Sequence, residues 1–146
     1  MSDYHCHPLP PTQRRLLHLF YRQHGSSMRP SGEASSWVAR EREIIAGLCL
    51  TPMAGGAWLT SLFVAPLQRG KGVAGALIEA ALHDAAGPVW LFCAPELSGF
   101  YGSVGFAPVS TLPEALSSRL QRYQRSKPLI AMRRDLAQGR AAACLR

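Results

Sequence analysis

The sequence predicts a mixed α/β fold in which a mostly antiparallel central sheet contains one parallel βαβ unit. Apolar runs predict three successive strands, Trp37 to Arg40, Ile44 to Leu50 and Ala57 to Val64. The third strand leads into a glycine-rich loop, a helix from about Gly72 to Ala86, and the apolar run Val89 to Cys93. A strand, a helix and a strand in this order predict two parallel strands joined by a right-handed crossover.

Local signals predict the other elements. Thr12 is a typical N-cap residue for a helix from about Gln13 to His24, and the proline-rich start before it is predicted to be extended and frayed. The apolar side of this helix is predicted to carry Leu16, Leu17, Leu19 and Phe20. Later elements are a short helix at Glu96 to Ser103, a strand at Phe106 to Val109, a polar helix or long loop at Leu112 to Gln124, a last strand at Pro128 to Arg134, and a frayed tail after Leu136.

The composition predicts one globular domain over residues 1–146, with its core in about residues 12–135. Apolar residues make up 47% of the 146 residues, and no run of about 18 apolar residues predicts a membrane span. The start of the chain lacks a basic segment followed by an apolar run, so no secretory signal is predicted. The cysteines are far apart and typical of reduced thiols, which favours a cytoplasmic location: Cys6, Cys49, Cys93 and Cys144.

The net charge of +7 raises the question of nucleic-acid binding. The basic residues are spread along the chain, and the densest run, Arg119 to Lys127, contains one tyrosine and no nucleic-acid motif. We therefore predict no nucleic-acid partner. The charge instead favours a solvated basic face, or one complementary to an anionic ligand.

The segment Phe63 to Leu82 predicts an anion-binding loop between a strand and a helix. The loop carries Arg69 and Lys71, and Gly70 and Gly72 lack the Cβ atoms that would hold a phosphate away from the backbone. Unpaired N–H groups at the start of the helix and the helix dipole both favour negative charge. A phosphate or pyrophosphate is the predicted ligand.

The same loop matches the dinucleotide fingerprint G-x-G-x-x-G. The glycines are Gly70, Gly72 and Gly75, and Glu96 lies where that fingerprint places a ribose-binding acid. However, three strands precede the loop, and the rest of the chain is too short for a doubly wound sheet. A nicotinamide cofactor is thus an alternative that rests on this motif alone.

Two motifs resemble those of the GCN5-related N-acetyltransferases. Val64-Ala65-Pro66 followed by Arg69-Gly70-Lys71-Gly72-Val73-Ala74 is similar to the family's V-x-P and R-x-x-G-x-G/A signature. Phe100-Tyr101-Gly102-Ser103-Val104-Gly105-Phe106 is similar to its F-Y-x-x-x-G-F motif. The motifs stand in the family's order and spacing, and the predicted elements match from about residue 12 to 135.

The resemblance implies that acetyl-CoA is the co-substrate. It implies that the pantetheine arm pairs with the strand edge Leu62-Phe63-Val64, and that an N–H near Phe63 or Val64 polarises the thioester carbonyl. Ser98 is the expected substitute for an asparagine that many family members use to bind pantetheine. The pyrophosphate is expected on Gln68, Arg69, Gly70, Lys71, Gly72, Val73 and Ala74.

The resemblance also implies that Tyr101 is the general acid, which protonates the departing CoA thiolate. The alternative is that Tyr101 is only a core aromatic residue beside Phe100 and Phe106. No base is predicted, because neither parallel strand carries a carboxylate. The remaining options are Glu33, Glu41, Glu43 and Glu96, or a water held by Thr60 or Ser61.

The predicted function is acetyl-CoA-dependent N-acetylation of a primary amine in a small molecule by direct attack. The alternative is a CoA- or nucleotide-binding regulatory module without turnover. Family members often form homodimers, so a second copy is a candidate partner; neither a membrane partner nor a metal site is predicted. The segments expected to flank the acceptor, Gln13 to Ser36 and Leu112 to Lys127, carry arginines, which favours a neutral or anionic amine.

Overall fold

The computed structural model describes residues 4–28, 30 and 33–135. Within them lies a mixed sheet of seven strands in the order β1-β2-β3-β4-β5-β7-β6, in which β4 and β5 are parallel. The predicted fold class is confirmed. The strands are β1 His5–Leu9, β2 Ser35–Arg40, β3 Ile44–Met53, β4 Gly56–Val64, β5 Val89–Cys93, β6 Ala107–Pro108 and β7 Ile130–Arg134, and the helices are α1 Arg14–Gln23, α2 Val73–Leu82, α3 Ser98–Ser103 and α4 Glu114–Tyr123.

Strand β1 was not among the predicted elements. It pairs antiparallel with β2, from His5 opposite Arg40 to Leu9 opposite Ser36. The pairing explains how a proline-containing segment can be a strand, because β1 lies at the edge of the sheet, where a missing N–H is tolerated. The His7 Nε2 atom accepts a 3.3 Å hydrogen bond from Arg40 Nε, so residues 5–7 are ordered in a strand, not frayed.

The start and the buried face of α1 also differ from the prediction. A 3-10 turn at Pro11–Gln13 precedes the helix, and the N-cap position is Gln13, without a side-chain capping bond. Thr12 is therefore not the cap. The buried residues of α1 are Leu17, Phe20 and Tyr21, whereas Leu16 and Leu19 are 43% and 48% exposed.

The described chain forms two compact units, and the first contains residues up to Pro52 together with Leu59–Asp84. It holds β1, β2, β3 up to Pro52, most of β4, and helices α1 and α2, of which α2 contacts β1 and β2. One buried cluster of this unit joins α1 to the strands and contains Leu9, Leu17, Phe20, Tyr21, Ala34, Val38, Cys49 and Ala65.

The second unit contains Met53–Trp58 and the residues from Ala85 onward. Here β5 pairs in parallel with the start of β4, at Ala57 opposite Val89 and Trp58 opposite Trp90, and antiparallel with β7. The core cluster consists of Trp58, Trp90 and Leu116, with Leu116 supplied by α4. The single domain expected over residues 1–146 stays a prediction. Cys144 and the predicted frayed tail after Leu136 lie outside the described residues.

The longest helices of the described chain, α1, α2 and α4, have ten residues each. Among the residues described, no helix has the length and apolar character needed to span a membrane.

Candidate functional site

The glycine-rich loop lies between β4 and α2 in the first unit. After β4 the chain forms a 3-10 turn at Pro66–Gln68, and α2 begins at Val73 with Gly72 as its N-cap. Gly70 and Gly72 have φ of 80° and 79°, and a Cβ placed on either would meet no atom within 4 Å. The backbone is thus left-handed at both positions, and open space surrounds both. A phosphate can approach the N–H groups of this turn and of the first turn of α2.

Arg69 is folded back onto the end of β4. Its Nε atom donates a 2.9 Å hydrogen bond to the Val64 carbonyl oxygen, and its guanidinium carbon lies 5.1 Å from the centre of the Phe63 ring. The side chain is exposed, as is that of Lys71. Arg69 therefore lies just before the glycine turn and Lys71 lies within it, and contacts to the strand fix the position of Arg69.

Strand β4 has an irregular backbone at Ser61. Ser61 has φ of 58°, a left-handed conformation that costs a non-glycine residue about 1–2 kcal/mol. The buried Tyr21 hydroxyl donates a 2.6 Å hydrogen bond to the Ser61 carbonyl oxygen. The irregularity directly precedes the predicted pantetheine-binding edge Leu62-Phe63-Val64.

A cavity of about 540 Å³ lies beside the end of β4 in the first unit. Its lining combines residues 65–68 with His24 and the turn between β2 and β3. The turn contributes Glu41 and Glu43, two of the carboxylates considered as a base. In the described chain, no group of three His, Cys, Asp or Glu residues could hold a metal ion.

Tyr101 lies on α3 in the second unit and is 8% exposed. Its ring packs against the rings of Phe100 and Phe106, with centroid separations of 4.9 and 6.0 Å. Its carbonyl oxygen accepts a 3.0 Å hydrogen bond from the Phe106 N–H, which closes the turn after the helix. The two aromatic neighbours in the motif therefore fix the orientation of the phenol.

Burial, with a smaller contribution from the nearby Cys93 thiol, raises the pKa of Tyr101 to about 12. Tyr101 is thus protonated, and able to donate, throughout the neutral range. Transfer of its proton to a thiolate of ordinary pKa, about 8.5, is uphill by about 5 kcal/mol. The cost is smaller for a thiolate that is itself removed from water, because desolvation raises the thiol pKa in the same direction.

The predicted site residues are divided between the two units. The strand edge at 62–64 and the loop at 68–74 belong to the first unit, where the chain brings them together in sequence and in space. Tyr101 and Ser98 belong to the second unit, on the same short helix α3. Glu96 precedes that helix and is exposed.

Tyr21, Trp58 and Trp90, none of which was predicted from the sequence to be a site residue, have notable environments. Tyr21 is the partner of the irregular strand residue Ser61. In the second unit, the Nε1 atoms of Trp58 and Trp90 are buried and have no hydrogen-bond partner among the described residues. The guanidinium of Arg119 on α4 lies 5.0 Å from the centre of the Trp58 ring. No local sequence signal distinguishes Tyr21, Trp58 or Trp90 from ordinary apolar positions.

Residues 32–108, more than half of the chain, match the family model described as the acetyltransferase (GNAT) domain. No curated protein matches the sequence. Solved structures with the same fold include an acetyltransferase of the GNAT family from Staphylococcus aureus Mu50, with 12% identity and a TM-score of 0.65. The alignment covers 91% of this chain and 99% of that one.

Two further similar structures carry more specific descriptions. The ribosomal-protein-S18-alanine N-acetyltransferase from Escherichia coli has 14% identity and a TM-score of 0.67, with 91% of this chain and 94% of that chain covered. N-acetylglutamate synthase from Neisseria gonorrhoeae, complexed with coenzyme A and N-acetyl-glutamate, has 15% identity and a TM-score of 0.66. There the alignment covers 93% of this chain but 36% of that one.

Proposed function

Because the chain belongs to the GNAT acetyltransferase family, we propose that it transfers an acetyl group from acetyl-CoA to a primary amine of a small molecule. The observation that carries this proposal is the glycine turn between β4 and α2. Its two left-handed glycines are surrounded by open space, and Arg69 is held beside them. This arrangement has the shape and charge that a pyrophosphate requires.

The proposed binding residues are those of the strand edge and the loop. Gln68 to Ala74 hold the pyrophosphate, chiefly through backbone N–H groups, and Leu62 to Val64 pair with the pantetheine arm. Ser98 is proposed as a further hydrogen-bonding residue. The similar structure from Neisseria gonorrhoeae was solved with coenzyme A, which supports a CoA-type ligand for this fold.

In the proposed reaction, a neutral amine attacks the thioester carbonyl directly. The new N–C bond forms as the C–S bond breaks, and a backbone N–H of β4 stabilises the charge on the carbonyl oxygen. Tyr101 gives its proton to the departing sulfur, and the proton that the amine loses passes to water or to a carboxylate. Glu41 and Glu43 line the cavity beside β4 and are the candidates for that carboxylate.

The acceptor is proposed to be a neutral or anionic amine, such as an amino acid derivative. The basic side chains of the two segments predicted to flank the acceptor support this choice, since Arg14, Arg15 and Arg22 lie on α1 and Arg119 and Arg122 lie on α4. The names of two similar proteins support the same choice: one is an N-acetylglutamate synthase, solved with the amino acid derivative N-acetyl-glutamate, and the other is a ribosomal-protein-S18-alanine N-acetyltransferase. A strongly cationic polyamine would be repelled by these arginines.

Calorimetric titration with acetyl-CoA, with NAD as the control ligand, tests the proposal. Binding of acetyl-CoA together with CoA release in the presence of an amine from a panel would support acetyl transfer. Binding of acetyl-CoA without transfer to any amine would favour a regulatory module. The observation that supports this alternative is that neither β4 nor β5 carries a carboxylate that could act as a base. Binding of NAD alone would overturn the proposed co-substrate.

A further inference from the structure

The Tyr21 hydroxyl holds one peptide unit of β4 in a fixed direction. Tyr21 is fully buried on α1, and its hydroxyl donates a 2.6 Å hydrogen bond to the Ser61 carbonyl oxygen. With φ of 58°, Ser61 has a backbone conformation that L-residues adopt only when their surroundings impose it. The bond from Tyr21 is one such constraint, and it acts on the irregular residue itself.

The same bond determines where the next N–H group points. The peptide bond between Ser61 and Leu62 is trans, so the Ser61 C=O and the Leu62 N–H lie in one plane and point in opposite directions. Since Tyr21 holds the carbonyl toward α1, the Leu62 N–H is directed to the opposite side of the strand. Leu62 is the first residue of the edge that is proposed to bind pantetheine.

We propose that Tyr21 is a positioning residue, which directs the Leu62 N–H at the carbonyl oxygen of a bound acetyl thioester. The inference rests on the proposed function and makes it more specific. It names Leu62 as the donor, where the family resemblance implied an N–H near Phe63 or Val64. It also gives α1 a role in recognition of the acetyl group.

Other contacts of the first unit keep the Tyr21 hydroxyl in place. Its ring packs against Phe20 and Phe63, at centroid separations of 5.9 and 6.4 Å. The hydroxyl also interacts with the buried Cys49 thiol, whose sulfur lies 3.8 Å from the Ser36 hydroxyl. Burial raises the pKa of Tyr21, so its phenol remains a hydrogen-bond donor at any pH used for an assay.

A donor at the thioester carbonyl would distinguish acetyl-CoA from free CoA. The two compounds share the nucleotide and the pantetheine arm, but only acetyl-CoA has an acetyl carbonyl oxygen. One neutral hydrogen bond corresponds to about a fivefold change in affinity. The wild-type protein is therefore expected to bind acetyl-CoA about fivefold more tightly than CoA.

Calorimetric titration of the Tyr21→Phe variant with both compounds tests the inference. The variant keeps the ring and loses the hydroxyl, so the Kd for acetyl-CoA is expected to rise about fivefold while the Kd for CoA stays unchanged. A purely structural role of Tyr21 would instead raise both Kd values together. The matched control is Leu17→Val, which removes one carbon from the same buried face of α1 and keeps the hydroxyl; its ratio of Kd values is expected to equal that of the wild type.

A second variant keeps the test decisive if Tyr21→Phe fails to fold. Ser61→Gly/Tyr21→Phe replaces the strained serine with a residue that adopts a positive φ without cost, and it is expected to fold but to lose the preference for acetyl-CoA. An unchanged preference in either variant, or no preference in the wild type, would overturn the inference alone. A wild-type protein that binds neither compound would overturn the proposed function and this inference with it.

Discussion

The Arg69 Nε atom donates a hydrogen bond of 2.9 Å to the Val64 carbonyl oxygen at the end of β4. The contact joins the last residue of the proposed pantetheine edge to the first cation of the phosphate loop. It uses one of the five N–H donors of the guanidinium group. Arg69 therefore brings a localised positive charge to the turn formed by Gly70 and Gly72, whereas a freely rotating side chain would bring a diffuse one.

The Arg69→Ala variant is expected to bind acetyl-CoA about tenfold more weakly than the wild type at low ionic strength, because a charge-assisted contact to phosphate is lost. The difference is expected to shrink at about 1 M salt, where exposed charges are screened. Calorimetry at two salt concentrations measures both effects. The control is Arg125→Ala, which removes an exposed arginine in the second unit. Equal weakening in both variants would contradict a local role for Arg69.

The Gly72→Ala variant is expected to lose about 1 kcal/mol of unfolding free energy and to bind acetyl-CoA weakly. The strain arises from φ of 79°, since the added methyl group would meet no atom within 4 Å. Binding suffers because that methyl group occupies the space that a phosphate needs. Gly25→Ala is the matched control, with φ of 71° and equally open surroundings. It should lose similar stability in urea unfolding and keep its affinity; if it lost affinity too, strain alone would explain the effect.

The Tyr101→Phe variant is expected to reduce kcat about a hundredfold and to leave the Kd for acetyl-CoA within about twofold of the wild type. Only the proton donor is removed, while the buried ring keeps its contacts with Phe100 and Phe106. Steady-state kinetics with the acceptor found in the amine screen, together with calorimetry, separates the two quantities. The Phe100→Leu variant alters the same helix and retains the phenol, so its kcat should fall far less. An unchanged kcat in Tyr101→Phe would exclude the acid role.

Tyr101 is also expected to make the folded state sensitive to alkaline pH. Its pKa is about 12 in the folded state and 10 as the reference value, so the folded state keeps a proton that the unfolded state has lost. This pKa difference contributes about 3 kcal/mol to the unfolding free energy. The full contribution is present below about pH 10 and is lost as the pH rises toward about 12.

Urea unfolding at several pH values between about 8 and 11 would measure this effect. The Tyr101→Phe variant should lose less stability over that range than the wild type, because phenylalanine does not titrate. Phe106→Leu weakens the same cluster and retains the phenol, so its pH dependence should follow that of the wild type. If the unfolding free energies of the wild type and Tyr101→Phe changed with pH in parallel, burial in the folded state would not raise the pKa of Tyr101, which would contradict this prediction.

The order of the elements from α1 onward and the phosphate loop could be predicted from the sequence because their signals are local. The strand before Pro66, the glycines of the turn and the apolar pattern of α2 all lie between Gly56 and Leu82. The strand Val89 to Cys93 was predicted with the bounds that the structure has, since it is short, apolar and preceded by Gly87-Pro88.

Other features depend on contacts between residues that are distant in the sequence. Strand β1 contains Pro8, a residue that argues against a strand unless the strand lies at an edge, and only the pairing with β2 reveals that edge. The contact between Tyr21 and Ser61 spans forty residues and involves a backbone carbonyl, which any residue type provides. No spacing rule in the sequence could predict either feature.

The position of β7 in the sheet has a consequence for the synthesis of the protein. Strand β7 lies between β5 and β6 and forms five residue pairs with β5, from Val89 opposite Arg134 to Cys93 opposite Ile130. The neighbours β1, β2, β3 and β4 follow one another along the chain, so their ladders can assemble while translation is still in progress. The ladder between β5 and β7, unlike that between β4 and β5, must wait until the ribosome has released residues 130–134. Until then, one edge of that apolar strand depends on transient protection against aggregation.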